Sequence, residues 1–103
     1  MVNVIIYLNR NHVPRKLVDL LLKKKLVAKA TIDIDNVTYV LKDDEIVTQT
    51  NTVITAQTKS LLFSHIEKLV AELYGPDVAI FSMPITQANH QFDKLIRDNT
   101  LKT

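Results

Sequence analysis

VAKATIDIDNVTYVLKDDEIVTQTNTVITAQT, residues 27–58, decides the fold. It reads as two strands joined by a tight acidic turn at Asp43-Asp44, each strand about a dozen residues long where ordinary strands run about 5–6. Val, Ile, Thr and Tyr dominate it, the β-branched and aromatic residues that suit a pleated, half-buried surface. A hairpin of that length must reach beyond the body of a 103-residue chain. Its outer half carries apolar side chains with nothing of their own chain to cover them, so the hairpin points to an oligomer. Ala28, Ala30, Ile32 and Ile34 set one alternating phase, and Val37, Tyr39 and Leu41 set the opposite one. Strand side chains alternate with period two, so an uninterrupted strand would turn half of these to the wrong face. A one-residue bulge near Asp35-Asn36 repairs the phase and bends the hairpin where it leaves the body. With the bulge, these residues share a face with Ile46, Thr48, Thr50, Thr52, Ile54 and Ala56 of the return strand, Ile46 to Gln57.

Outward from the hairpin, the flanking segments alternate between strand and helix. Val2, Val4, Ile6 and Leu8 interleave with Asn3, Ile5 and Tyr7, a pattern that suits a central strand covered on both faces. A loop follows at Asn9 to His12, then a helix from about Val13 to Lys25, with Pro14 in its first turn and Lys23, Lys24 and Lys25 at its dipole-favoured end. Thr58 or Ser60 is placed to cap a second helix with a Leu62, Ile66, Leu69, Val70, Leu73 stripe. Gly75 suits a left-handed cap and Pro76 blocks continuation. Val78 to Ile85 is a strand stopped by Pro84. Thr86 is placed to cap a last helix whose Ala88, Phe92, Leu95 and Ile96 face inward, and the tail from Asn99 is expected to fray. The order β-α-β-β-α-β-α predicts an α+β fold: a ferredoxin-like βαββαβ sandwich with a long central hairpin and an extra C-terminal helix. Its sheet carries two helices on one face. The other face is left for the last helix and neighbouring subunits to cover.

Composition narrows the function. At 103 residues, with 47% hydrophobic residues, one ordered domain over 1–103 is expected. The chain has no cysteine, which removes disulfides, thiolate nucleophiles and cysteine-held metal. A net charge of +2 lacks the basic footprint of most nucleic-acid binders, so no nucleic-acid partner is expected. The apolar start ends at Asn9-Arg10-Asn11 rather than at small residues of a cleavage site, and no apolar run nears the roughly 20 residues of a membrane span. A cytoplasmic protein without a membrane partner is the reading.

Little in the chain resembles a catalytic apparatus. His12, His65 and His90 do not pair at metal-ligand spacing, and each reads best as a loop or surface histidine. Three copies of one histidine on a threefold axis would be needed to hold a metal. Asp33 and Asp35, or Asp43, Asp44 and Glu45, offer oxygens to a hard cation, yet a bulge and a solvated turn explain them more simply. One glycine cannot build a phosphate loop, and no serine lies in a nucleophile elbow. The expectation is no enzyme, no catalytic residue, no metal ligand and no cofactor, a divalent cation being the one cofactor left in view.

Element order, length and hairpin together resemble the CutA family, known for divalent-cation tolerance. Lys25-Leu26-Val27-Ala28-Lys29-Ala30-Thr31 is similar to its Lys-Leu-Ala-Ala-Cys-Ala-Thr segment, and Thr38-Tyr39-Val40-Leu41 to its Ser-x-Tyr-x-Trp hairpin, with Leu41 in place of Trp. Gln57-Thr58 stands where the family has Lys-Thr. Tyr74-Gly75-Pro76-Asp77 is similar to its Tyr-x-x-Pro-Glu, one residue shorter, and Met83-Pro84-Ile85 to its Leu-Pro-Val. Phe92 and Leu95 match the position of a Tyr-x-x-Trp pair. The resemblance spans nearly the whole chain and implies a homotrimer, with the long hairpins pairing edge to edge and the sheets enclosing a central core. The departures are polar: Lys29 replaces the family's cysteine, Asn51 a glutamate, Gln57 a lysine, and Glu72-Leu73 a His-Pro. The framework is kept, and the soft donors of a metal site are not.

Two functions follow. One is a non-enzymatic trimer with a role in divalent-metal response or signalling, its interface at Ile32, Ile34, Val37, Tyr39, Leu41 and Ile46. The other is a PII-like sensor that binds a small metabolite between subunits, lined by Tyr39, Asn51, Gln57 and Tyr74. RNA binding on the sheet ranks last, because only Tyr7 and Phe81 are available to stack bases.

Overall fold

The computed structural model describes residues 1–103. Its elements run β1 (Val2–Leu8), α1 (Pro14–Lys23), β2 (Lys29–Lys42), β3 (Glu45–Thr58), a short 3₁₀ turn (Ser60–Leu62), α2 (Phe63–Tyr74), β4 (Ala79–Pro84) and α3 (His90–Asn99). The four strands form one sheet in the order β2-β3-β1-β4, and every neighbouring pair is antiparallel. This is the ferredoxin-like arrangement with a helix appended.

One sheet face makes the core. Val2, Val4, Ile6 and Leu8 of β1, with Ile54 and Ala56 of β3, are buried in a cluster with Leu17 and Leu21 of α1 and Ile66, Leu69 and Val70 of α2. The opposite face of β1, through Asn3, Ile5 and Tyr7, is only half-buried, so this central strand is covered on one side rather than two. Phe81 and Met83 on β4 share that second face, since they pair with Ile5 and Asn3, and both are exposed.

The bulge falls where the change of phase requires it. Asp33 pairs with Val53 and Asn36 with Asn51, so β2 carries one extra residue between them. Asp35 takes φ +59°, a left-handed conformation that Asp tolerates better than most residues. The Asn36 side-chain amide donates to the Asp33 carbonyl at 2.8 Å and pins the loop. Beyond the bulge, Val37, Tyr39 and Leu41 pair with Thr50, Thr48 and Ile46, on the face that carries Ile32 and Ile54 closer in. Pairing of β3 to β1 stops at Thr52–Leu8, and from there the hairpin projects as a two-stranded arm. Its turn places Asp43 and Asp44 at φ +51° and +63°, the signature of a type I′ turn. The molecule measures 46 × 28 × 21 Å with a radius of gyration of 14.6 Å, where a compact chain of 100 residues has about 13 Å. Its accessible surface of 6907 Å² exceeds the roughly 5,900 Å² expected for a compact monomer of this mass.

The helix ends differ from the sequence expectation, each for a local reason. α1 stops at Lys23 because Lys25 turns left-handed, φ +56°. The amides of Lys25 and Leu26 then bond back to the carbonyls of Leu22 and Leu21, at 3.0 and 2.9 Å, a Schellman ending with lysine where glycine is usual. Neither Thr58 nor Ser60 caps α2 through its side chain. Thr58 is buried and its hydroxyl donates to the Leu26 carbonyl at 2.6 Å, while the 3₁₀ turn starts the helix without a side-chain cap. Gly75 has the expected positive φ, but its ψ is 175°, an extended region accessible essentially to glycine alone. Asn89, not Thr86, caps α3 by accepting from the Phe92 amide at 2.9 Å, which leaves Ala88 outside the helix. The tail does not fray. Thr100 is buried and bonded to the Ile96 carbonyl, the Leu101 amide donates to the Lys25 carbonyl at 2.9 Å, and the Lys59 ammonium reaches the Leu101 carbonyl at 2.8 Å.

Candidate functional site: an aromatic groove beside the hairpin arm

Two features lie outside the core. The first is the apolar side of the arm. Ile34, Val37, Tyr39, Leu41 and Ile46 are 63, 55, 69, 71 and 74% exposed. Ile32, one step closer to the body, packs against the core. The arm therefore presents five large apolar side chains to water and one to its own chain.

The second is a groove of about 580 Å³ where the open sheet face meets the base of the arm. Strand alternation builds it. Tyr7, Ala79 and Phe81 project from β1 and β4, and Thr38, Gln49 and Asn51 from the same face of the arm. The loop after β1 supplies Asn9 and His12, the end of α2 supplies Tyr74, and Asp77 and Val78 close one side.

Two aromatic pairs line the groove. The rings of Tyr7 and Phe81 lie 6.3 Å apart and 25° from parallel. The ring centroids of His12 and Tyr74 lie 4.4 Å apart with the planes tilted by 32°, at the short limit of aromatic packing. His12 is held by the Asn9 amide, which donates to its Nδ1 at 3.3 Å. The Tyr74 hydroxyl donates to the Val13 carbonyl at 3.0 Å, tying the end of α2 to the start of α1. Partial burial raises the Tyr74 pKa above its ordinary value, so the phenol stays protonated and able to donate.

Polar groups complete the lining. Asn51 Oδ1 is buried without a hydrogen-bond partner, and a buried acceptor left unpaired costs about 1–3 kcal/mol. Asp77 is the only acidic residue among the lining side chains, and neither lysine nor arginine is present. No cluster of three or more His, Asp or Glu side chains suitable for a metal ion occurs in the chain.

Of the four ligand-site residues expected from sequence, Asn51 and Tyr74 meet in this groove. Tyr39 lies on the opposite face of the arm. Gln57 sits at the far end of β3, where its amide donates to Asn3 Oδ1 at 2.8 Å. His12, expected to be an ordinary loop histidine, is instead half-buried against Tyr74. Tyr7 and Phe81, considered only as RNA-stacking residues, form its aromatic floor, and Gln49, Thr38 and Asp77 were not anticipated. The alternation that puts Gln49 and Asn51 on one face was legible. That this face curves toward the open side of the sheet was not.

No protein-family model and no curated protein matches the chain. Solved structures do. CutA1 from Oryza sativa matches with a TM-score of 0.87 at 14% identity, over 99% of this chain and 94% of that one. CutA1 from Pyrococcus horikoshii matches with a TM-score of 0.85 at 20% identity, over 99% and 100%. A periplasmic divalent cation tolerance protein CutA from Archaeoglobus fulgidus matches with a TM-score of 0.82 at 22% identity, over 96% and 98%. The likeness runs end to end, and the fold is that of CutA1 proteins.

Proposed function

We propose that this chain is a single-domain, non-enzymatic, CutA-like protein that works as a homotrimer in the response to divalent metal. The observation that carries the proposal is the bare apolar side of the arm, from Ile34 through Ile46. Removing one such side chain from water contributes roughly 1.5–3 kcal/mol, and a two-stranded hairpin is marginal by itself. Closed cyclic symmetry lets every copy cover the same stripe. Ile32 would anchor the inner edge of that interface. The polar positions Lys29, Asn51 and Gln57 supply no soft metal donor, so the response would work through the assembly or its partners rather than through a resident ion. No helix is long and apolar enough to cross a membrane, and a cytoplasmic site of action belongs to this proposal. Light scattering on the purified protein tests it. A particle of three copies is expected. A stable single copy at micromolar concentration would overturn it.

The groove favours a second reading, a sensor of the PII-like kind with a small metabolite at a subunit boundary. Asn51 and Tyr74 would come from one copy, with Tyr39 and Gln57 reaching the ligand from neighbours. The orphaned Asn51 Oδ1 supports it. A ligand that binds only the folded state raises the melting temperature, which a thermal-shift screen measures.

A further inference from the structure

We infer that the helical layer docks an acidic, leucine-bearing segment of a partner protein. The site is a cleft of about 340 Å³ between the end of α1, α2 and the C-terminal tail. Its floor is apolar: Leu26 and Leu69 are buried, and Leu101 is 42% exposed. Exposed Lys24, Lys68 and Glu72 also line it. Two more lysines meet the backbone of Leu101. Its carbonyl accepts from the Lys59 ammonium at 2.8 Å, and its amide donates to the Lys25 carbonyl at 2.9 Å. Four lysines from three separate segments thus come together at one leucine. Lys24 and Lys25 also complement the end of α1, but Lys68, in the middle of α2, serves no such role. None of the four is paired with a carboxylate, since the ion pairs of the chain use Arg15, Lys94 and Arg97. Charge is divided along the chain as well. Of 13 basic and 11 acidic residues, the hairpin from Lys29 to Thr58 holds two and five, which leaves eleven and six on the body. Unpaired cations around an apolar floor are complementary to a partner that brings carboxylates and an aliphatic side chain together.

A peptide fits this cleft better than a nucleic acid or a bilayer. The lining has no arginine and no Tyr, Phe or Trp, the side chains on which bases stack. Glu72 would repel a phosphodiester backbone, whereas a peptide has N–H groups to donate to it. Leu26 and Leu69 are recessed, so they offer no apolar face to insert into a membrane surface. α1 and α2 cover the core side of the sheet, so the cleft lies on the opposite side of the molecule from the open sheet face. The inference therefore does not depend on how copies associate.

The test is fluorescence anisotropy of a fluorescein-labelled Asp-Glu-Asp-Leu-Asp-Glu peptide titrated with the full chain in its native assembly. The expected result is saturable binding that weakens roughly tenfold or more as salt rises from about 50 to about 500 mM. Replacing the peptide's leucine with serine should weaken it several-fold. Lys24→Glu and Lys68→Glu should each weaken it about tenfold, with melting temperatures unchanged because both side chains are exposed. Lys42→Glu makes the same charge change on the arm and should leave the affinity within about twofold. No saturable binding at millimolar peptide, equal losses in all three variants, or equal affinity for the serine peptide would overturn the inference. So would a single-stranded oligoadenylate or phosphatidylserine vesicles that bind more tightly than the peptide and lose that binding in Lys68→Glu. Light scattering run beside the titration covers the remaining occupant. A mass that grows beyond the assembly at low salt, and does not in Lys68→Glu, would give the cleft to the acidic arm tip of another copy and overturn the partner. None of these outcomes bears on the arm interface, so the two readings fail separately.

Discussion

The two halves of the hairpin present their apolar residues on one face, the bulge restoring the phase between them, yet differ in fate. Near the body, Ala30 and Ile32 pair with Ala56 and Ile54; Ala56 and Ile54 are fully buried and their partners pack against the core. Past the bulge, Tyr39 and Leu41 pair with Thr48 and Ile46, and the three apolar residues among them are 69–74% exposed. Propensity and pattern are nearly the same on both sides of Asp35. What differs is the layer above: α1 and α2 cover the inner half, and no element of this chain covers the outer one. A hydrophobic pattern thus states that a face wants burial, and only the reach of the other elements decides whether the same chain can supply it.

The sharpest way to break this comparison is a charge on the outer half. Tyr39→Asp or Ile46→Asp should dissociate the proposed trimer, with the particle falling to about a third of its mass in light scattering. Three copies of a stripe whose members each contribute roughly 1.5–3 kcal/mol would be lost together. A variant that keeps the parental mass would mean that the outer half is not an interface. The inner half should respond differently. Ile54→Ala opens a cavity under the helices and should cost about 2–5 kcal/mol. Denaturant melts of Ile54→Ala, combined with a dissociated Tyr39→Asp background, should show that loss even in single copies.

Legibility in the sequence followed the same division. Features fixed by local chemistry and period could be read directly: the order of the elements, the bulge demanded by the phase change between Ile34 and Val37, the Asp43-Asp44 turn and the buried stripe of α2. Features set by tertiary contacts could not. Thr58 looks like a helix cap, but the Leu26 carbonyl claims its hydroxyl. The tail after Asn99 looks free, but Leu101 bonds to Lys25 and Lys59. The groove is hidden for the same reason. Its residues come from four separate stretches, 7–12, 38, 49–51 and 74–81, and the polar ones among them carry no shared spacing.

A smaller effect sharpens the contrast at the body. Gly75 holds φ +88° and ψ 175°, and an added Cβ would meet nothing within 4 Å. Gly75→Ala therefore isolates the backbone cost, expected at about 1–3 kcal/mol. Because Tyr74 precedes it and lines the groove, a loss of stability without any change in oligomeric mass would separate this end of the molecule from the arm. A change in mass would show that the two are coupled.

The smallest expected effects compare two left-handed residues, one in each region. Lys25→Gly at the end of α1 relieves an unfavourable φ and should raise stability by a few tenths to about 1 kcal/mol, net of the greater freedom of glycine in the unfolded chain. Asp44→Gly relieves the same kind of conformation at the tip of the arm, where glycine is the favoured second residue of a type I′ turn. The two should not read out alike. Lys25 is itself exposed but leads directly into the buried Leu26 and Val27, so its gain should appear in the global melting curve. Asp44 sits on a ribbon that opens locally when nothing covers it. In a dissociated Tyr39→Asp background, Asp44→Gly should slow amide hydrogen exchange at Val40 and Val47 without moving the global melt, since exchange there follows local opening rather than unfolding. Equal shifts of the global melt from both substitutions would mean that the arm and the body unfold as one unit, and that the arm draws its stability from its own chain after all.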